Sequence, residues 1–87
     1  TPSKLGRRNA VKWTFKATTG VELIAYAVDV DANQVKLVWF DSDSGEYQLN
    51  RFDKKMFVAE TQTWLVKNAE IIKQHGNAVE KELVGNE

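Results

Sequence analysis

The sequence predicts a mainly β domain with a helix at its C-terminal end, built as a small antiparallel sheet of four or five strands. Up to Asp53, apolar side chains recur with a period of two, which is typical of strands with one buried face. After Asp53 they recur at spacings of three, four and seven, which lays one apolar stripe along a helix. Short polar segments rich in Gly, Asn and Asp separate the predicted strands and indicate turns.

The composition predicts one folded domain without disulfide bonds. The chain has 87 residues, 43% of them hydrophobic, with 12 basic and 12 acidic side chains and no Cys. The lack of Cys excludes thiol catalysis and thiolate metal sites, and we expect a cytoplasmic protein because disulfides are common in oxidising compartments. No apolar run reaches the roughly 18 residues that a membrane span needs, so we expect no membrane contact.

The first two predicted strands differ in their apolar pattern. Val11, Trp13 and Phe15 alternate with polar residues, which predicts a strand with one buried face. Residues 21–30 are apolar on both parities. This pattern indicates either a strand covered on both sides for part of its length or one strongly bent, as barrel strands are.

The third and fourth strands form a predicted hairpin. Val35, Leu37 and Trp39 share one parity of the third strand, and Tyr47 and Leu49 share one parity of the fourth. Residues 41–45 lie between them and contain only Asp, Ser and Gly, which favour turns. A solvated hairpin turn is therefore expected there.

The helix is predicted from an apolar stripe. The residues of this stripe are Trp64, Leu65, Ala69, Ile71 and Ile72. We expect a helix of about 12 to 15 residues that starts at Thr61 or Thr63 and ends at Gly76. Met56 to Val58 form either a short fifth strand or the first turn of this helix.

These elements predict three segments. Residues 1–9 lack periodicity and form an expected flexible basic arm. Residues 10–76 form the β-rich domain with its C-terminal helix. Residues 77–87 are expected to be a short helix or a frayed tail.

The predicted strand core resembles a known family. The spacings Ala25-x-Ala27-Val28, then Val35-x-Leu37-x-Trp39-Phe40-Asp41, then Gly45-Glu46-Tyr47-x-Leu49 resemble Tudor-like and other small SH3-like β-barrel domains. The resemblance covers the second to fourth predicted strands. It implies an SH3-like barrel whose exposed aromatic side chains bind a peptide or a nucleic acid.

Aromatic and acidic residues give the first binding hypothesis, which is contact with a protein or peptide. The hypothesis uses Tyr26, Trp39, Tyr47, Asp41, Asp43 and Glu46. The aromatic residues of the second to fourth strands, Phe40 included, occupy both parities, so at least one should be exposed. An exposed ring beside carboxylates suits a basic peptide segment. The competing interpretation is that all these rings pack in the core.

Basic residues near the N-terminus give the alternative hypothesis, which is nucleic-acid binding. They are Lys4, Arg7, Arg8, Lys12 and Lys16, with Trp13 and Phe15 between them. Such a segment can contact phosphates while a ring stacks on a base. The same pattern is also that of a half-buried strand, and a neutral net charge is unusual for a nucleic-acid domain.

No catalytic motif is found. His75 is the only imidazole and has no Ser, Cys or second His in a recognisable relation to it. Residues 41–52 fail as a calcium loop because Gly45 is fifth instead of sixth and Phe52 holds the twelfth position. We therefore expect a non-catalytic binding module with no cofactor and no metal, and its oligomeric state is open.

Overall fold

The computed structural model describes residues 11–85, which form one antiparallel sheet followed by two helices. The strands are β1 (Lys12–Lys16), β2 (Glu22–Val30), β3 (Gln34–Asp41) and β4 (Glu46–Asp53), and they lie side by side in chain order. A 3-10 turn (Lys54–Met56), helix α1 (Ala59–Lys67) and helix α2 (Ala69–Val84) follow. This confirms the predicted mainly β architecture with a helical C-terminal part.

The turn between β2 and β3 is held by Asp31. Its Oδ1 accepts hydrogen bonds from the backbone N–H groups of Asn33, at 2.9 Å, and Gln34, at 2.7 Å. Both bonds favour the ionised carboxylate, and they lower the pKa of Asp31 below its ordinary value of 3.8, the bond from Gln34 contributing most. The short side chain of Asp31 thus satisfies backbone N–H groups of the turn, as Asp side chains commonly do.

Strand β2 is buried on both parities over its second half. Ala27 is paired with Leu37 and Asp29 with Lys36, so Val28 is an extra residue in a β-bulge. Ala27 and Val28 are both buried, whereas Glu22 and Ile24 at the start of the strand are exposed. Of the two interpretations of this segment, coverage on both sides for part of its length is confirmed.

Strand register divides the sheet into two faces, because side chains alternate along each strand. The face that we call the Phe40 face carries Ile24, Tyr26, Val38, Phe40, Tyr47 and Leu49. The opposite face, called the Trp39 face, carries Trp13, Phe15, Ala25, Leu37 and Trp39. Val38 and Leu37 are both fully buried, so the middle of the sheet is covered on either side.

Aromatic side chains cover the Trp39 face near β1. The ring of Phe15 makes edge contacts with Phe57 and Trp64, with centroids 5.5 and 6.1 Å apart respectively. Trp13 stacks on Trp64 with centroids 4.9 Å apart. Helix α1 is therefore docked against β1, as the predicted apolar stripe requires.

The predicted stripe continues further along the chain than expected. Leu65, Ile72, Gly76 and Val79 are buried at spacings of seven, four and three, across a short break at Asn68. The Asn68 side chain donates a hydrogen bond of 2.8 Å to the carbonyl of Trp64, where α1 ends. The buried positions therefore keep a helical spacing from α1 through α2 to Val79.

The prediction that Gly76 ends the helix is wrong. Helix α2 continues to Val84, and Gly85 in the left-handed conformation follows it. Gly76 instead lies against the bulge of β2, where an added Cβ would be 2.7 Å from the carbonyl carbon of Val28 and 2.8 Å from its Cα. A glycine thus permits close packing here, and residues 77–84 belong to the same helix.

The predicted start of the helix is also wrong. Helix α1 begins at Ala59, after Val58, without a side-chain cap, and Thr61 is buried inside it. Met56 ends the 3-10 turn, and Phe57 makes one isolated bridge to Ala17. The segment 56–58 is therefore neither a fifth strand nor the first turn of α1.

The predicted basic arm, residues 1–9, lies outside the described residues. Within residues 11–85 no helix is long and apolar enough to cross a membrane.

Candidate binding surface

The hairpin between β3 and β4 is held by its own polar groups. The carboxylate of Asp41 accepts a hydrogen bond of 3.0 Å from the N–H of Asp43, and the carbonyl of Asp41 accepts one of 2.8 Å from Gly45. Gly45 has a φ of 75°, which few other residues adopt without strain. The Ser44 hydroxyl accepts a bond of 3.3 Å from the N–H of Glu46. The predicted solvated turn is present, and Asp41 has a structural role in it.

An apolar patch lies next to this hairpin on the Phe40 face. Phe40 is directly opposite Tyr47, and their rings meet edge to face with centroids 5.2 Å apart. Continuing the β2–β3 register one step beyond the Ala25–Trp39 pair brings Ile24 beside Phe40. Phe40 is 51% exposed and Ile24 63% exposed. We call Ile24, Phe40 and Tyr47 the Phe40 patch.

The patch begins where coverage of the sheet ends. In the neighbouring row of the same face, Val38 is fully buried between the half-buried side chains of Tyr26 and Leu49. Two residues further along β3, the phenyl ring of Phe40 is half in solvent. Large apolar side chains that are exposed next to one another often mark a binding site, whereas single exposed apolar side chains are common on protein surfaces.

The structure divides the predicted binding residues between the two faces. Tyr26 and Tyr47 lie on the Phe40 face, whereas Trp39, Asp41 and Glu46 lie on the Trp39 face. The three aromatic side chains therefore cannot form one binding site, because the sheet separates Trp39 from both tyrosines.

The Trp39 side chain is held in the protein. Its indole N–H donates a hydrogen bond of 2.7 Å to Oδ1 of Asn50, and the half-buried ring packs against the hydrophobic core. Trp39 thus has a packing role, as the competing interpretation of the aromatics expects.

Sequence reasoning missed one member of the patch. Ile24 has the opposite parity to the buried Ala25, and that alternation could have identified it. Nothing in the sequence alone shows that the helices leave this end of the sheet open. That information comes only from the assembled fold.

Acidic side chains surround the hairpin end of the sheet. Asp41 follows Phe40 in the chain and Glu46 precedes Tyr47, while Asp43 is exposed at the tip. Glu22 lies at the same end, opposite Lys16 of β1. Asp41 and Glu46 start from the other face, and their fields reach the patch through solvent, where charges are screened over a Debye length of about 8 Å in physiological salt.

Two of the predicted basic residues lie on β1. Lys12 and Lys16 are exposed, and the Lys12 ammonium lies 6.0 Å from the centroid of the Tyr26 ring, a cation–π distance. Lys4, Arg7 and Arg8 lie outside the described residues. The structure therefore describes two of the five residues of the nucleic-acid hypothesis.

Residues 11–85 contain no group of three or more His, Cys, Asp or Glu side chains placed to hold a metal ion. The chain matches no protein-family model, and it has no significant match among curated proteins or solved structures.

Proposed function

We propose that this chain is a non-catalytic binding module that contacts a protein partner through the Phe40 patch. The observation that supports the proposal is the pair of large apolar side chains, Phe40 and Ile24, exposed beside Tyr47 in an otherwise well-packed sheet. Exposed aromatic rings that are already ordered by a neighbour are common centres of protein interfaces, since little side-chain entropy is lost on binding.

A basic peptide segment fits this surface best. The acidic side chains of the hairpin give the end of the patch a negative potential, which attracts Lys and Arg and repels acidic partners. A second copy of the chain is disfavoured as partner, because a two-fold contact through the patch would bring two acidic hairpins together. The Tyr47 hydroxyl adds a polar group beside an apolar surface, as aromatic residues at interfaces often do.

The test is a selection of peptides from a random phage-displayed library on the full chain. We expect the selected peptides to be rich in Lys and Arg and to carry one apolar residue. They should bind the Phe40→Ser variant at least about tenfold more weakly, the scale of a lost hot spot. Val66→Ser removes a more exposed apolar side chain from α1, and this variant should bind the peptides normally.

The charge requirement is tested separately. Asp43→Asn and Glu46→Gln together should weaken binding of the same peptides, and the loss should shrink in high salt. Asp53→Asn with Glu70→Gln removes two exposed acids elsewhere and is the matched control. Selected peptides that are not basic, or that bind Phe40→Ser as well as the native chain, would overturn the proposal.

Nucleic-acid binding is the rival outcome. A fluorescent 20-nucleotide single strand that binds at about 50 mM salt, and that binds less tightly after Arg7→Ala with Arg8→Ala, would favour the rival. We expect no such binding, because Lys16 lies opposite Glu22 and the chain has no net charge.

A further inference from the structure

The outer edge of β1 is only partly paired. The carbonyl of Lys16 accepts a hydrogen bond of 2.8 Å from Val58, and its N–H lies 3.5 Å from the Thr61 hydroxyl. The main-chain groups of Lys16 therefore point away from β2. In an antiparallel strand the main-chain groups of alternate residues point the same way, so those of Thr14 and Lys12 also point away from β2.

The segment beside β1 ends before it reaches Thr14. Main-chain pairing with this edge stops after Val58, because α1 begins at Ala59, and the contact of α1 with the Lys16 N–H is made by the Thr61 side chain. Among residues 11–85, no backbone or side-chain group pairs with the outward main-chain groups of Thr14 or Lys12. None of the described residues therefore occupies the position of a further strand beside Thr14 and Lys12.

Shallow depressions lie along this same open edge, around Trp13. One of about 410 Å³ lies between β1 and the start of α1 and is lined by Trp13, Thr14, Lys16, Glu22 and Glu60. A second, of about 300 Å³, is lined by Trp13, Glu60, Thr63, Trp64 and Lys67. The first depression therefore borders the outward main chain of β1 at Thr14.

We propose that an extended peptide segment of a partner protein adds to the sheet as a strand beside Lys12 and Thr14 of β1. Such strand addition uses main-chain hydrogen bonds for affinity and alternate side chains for specificity. This proposed site differs from the Phe40 patch in the strand that it uses, in the mode of contact and in the charge of the peptide that it binds. An experiment can therefore disprove either site without disproving the other.

The side chains beside the edge define the peptide. A residue next to Trp13 contacts the half-buried stack of Trp13 and Trp64, which favours an apolar side chain. The residues on either side of it lie on the Phe40 face, one next to Lys12 and the other next to Thr14. Lys12 has Tyr26 as its cross-strand neighbour, whereas Lys16 already has Glu22. An acidic residue is therefore favoured beside Lys12, and the peptide alternates apolar and acidic side chains.

The experiment titrates the ¹⁵N-labelled full chain with an acetylated, amidated hexapeptide that alternates leucine and glutamate. Without peptide, the amide hydrogens of Lys12 and Thr14 should exchange with solvent much faster than those of Trp13 and Phe15, which point toward β2. With saturating peptide, exchange at Lys12 and Thr14 should slow at least about tenfold, since each gains a hydrogen bond.

Two backbone-methylated peptides provide the matched control. One peptide carries N-methyl groups on its odd-numbered amides and the other on its even-numbered amides. Because alternate amides of a strand point in opposite directions, only one of the two peptides has its methyl groups facing β1. We expect one peptide to bind and the other to lose binding. Equal binding of both would overturn strand addition, as would slow exchange of Lys12 and Thr14 in the free chain or a peptide-independent dimer through β1.

A protein variant tests the same hydrogen bonds. Thr14→Pro removes an N–H that points away from β2, a position where edge strands accept proline, while Thr14→Val keeps it. Peptide binding should weaken about five- to tenfold in Thr14→Pro and stay unchanged in Thr14→Val. The near-UV circular dichroism of the Trp13–Trp64 stack checks that each variant is folded, and Phe40→Ser should bind this peptide normally.

Discussion

Strand β3 has two regions with opposite environments, although both are rich in apolar residues. From Val35 to Val38 the apolar side chains are fully buried, Val35 and Leu37 on one face and Val38 on the other. Two residues beyond Val38, Phe40 is half exposed beside the hairpin turn. The apolar content of the strand is similar throughout, so the difference comes from what packs on it.

The comparison teaches that the helices divide the sheet into a structural part and a contact part. Helix α2 lies against β2 at the bulge, where Gly76 meets the backbone of Val28, and Glu80 of the same helix forms an ion pair of 3.5 Å with Lys36. The Phe40 patch lies further along β3, at the end of the strand next to the hairpin. Substitutions in the first part should change stability, and substitutions in the second should change binding.

Removing a buried helical side chain should have the largest effect on stability. Ile72 is fully buried in α2, so Ile72→Ala should lower the free energy of unfolding by about 4 kcal/mol, the upper range for deleting a core aliphatic side chain. Urea unfolding measures it. Val66→Ala, at an exposed position of α1, should change the free energy by less than about 0.5 kcal/mol. Similar losses in both variants would show that the helices are not docked as described.

The close approach of α2 to β2 should be nearly as sensitive. Gly76→Ala places a Cβ against the Val28 backbone, and we expect a loss of about 3 kcal/mol despite the better helix propensity of Ala. Asn77→Ala, at the next and exposed position, should be neutral or slightly stabilising. An unchanged stability of Gly76→Ala would contradict the contact at the bulge.

The two faces at the hairpin end can be compared through neighbouring residues. Trp39→Ala should cost about 2 kcal/mol, because it removes a half-buried ring that donates to Asn50. Phe40→Ala should cost less than about 1 kcal/mol, since the ring is half in solvent already. Thermal unfolding of both variants measures which one loses more stability. A larger loss of stability in Phe40→Ala than in Trp39→Ala would show that Phe40 is part of the core.

The smallest effect concerns pH. The pKa of Asp31 is lowered in the folded state by hydrogen bonds from Gln34 and Asn33, so this carboxylate stabilises the fold above its unfolded pKa of 3.8. That stabilisation is lost as the pH falls below 3.8 and through the folded pKa. Asp31→Asn should therefore flatten the dependence of stability on pH in this range, and a carboxyl titration midpoint at or above 3.8 would contradict the turn geometry.

The sequence predicts the sheet well because alternation is a local property of each strand. Trp13 and Phe15, for example, share a face as their spacing requires. Gly76 shows where local reasoning fails, since a glycine after a helical stripe is usually a cap and only the neighbouring strand shows that it is a packing site. The break at Asn68 likewise depends on how two helices meet the sheet.

The binding surface is less predictable for the same reason. The parity of Trp39 and Phe40 places them on opposite faces, but the sequence does not say which face is covered at that end. Phe40 belongs to the aromatic residues of which the sequence predicts at least one to be exposed, whereas Ile24 becomes part of the patch only through its register with β3.

Phe40→Ser tests the central claim most directly when stability and binding are measured on the same sample. We predict a Tm close to that of the native chain, together with at least about tenfold weaker binding of the basic peptides selected on the native protein. A clear fall in Tm with peptide affinity unchanged would contradict the division of the sheet into a structural part and a contact part.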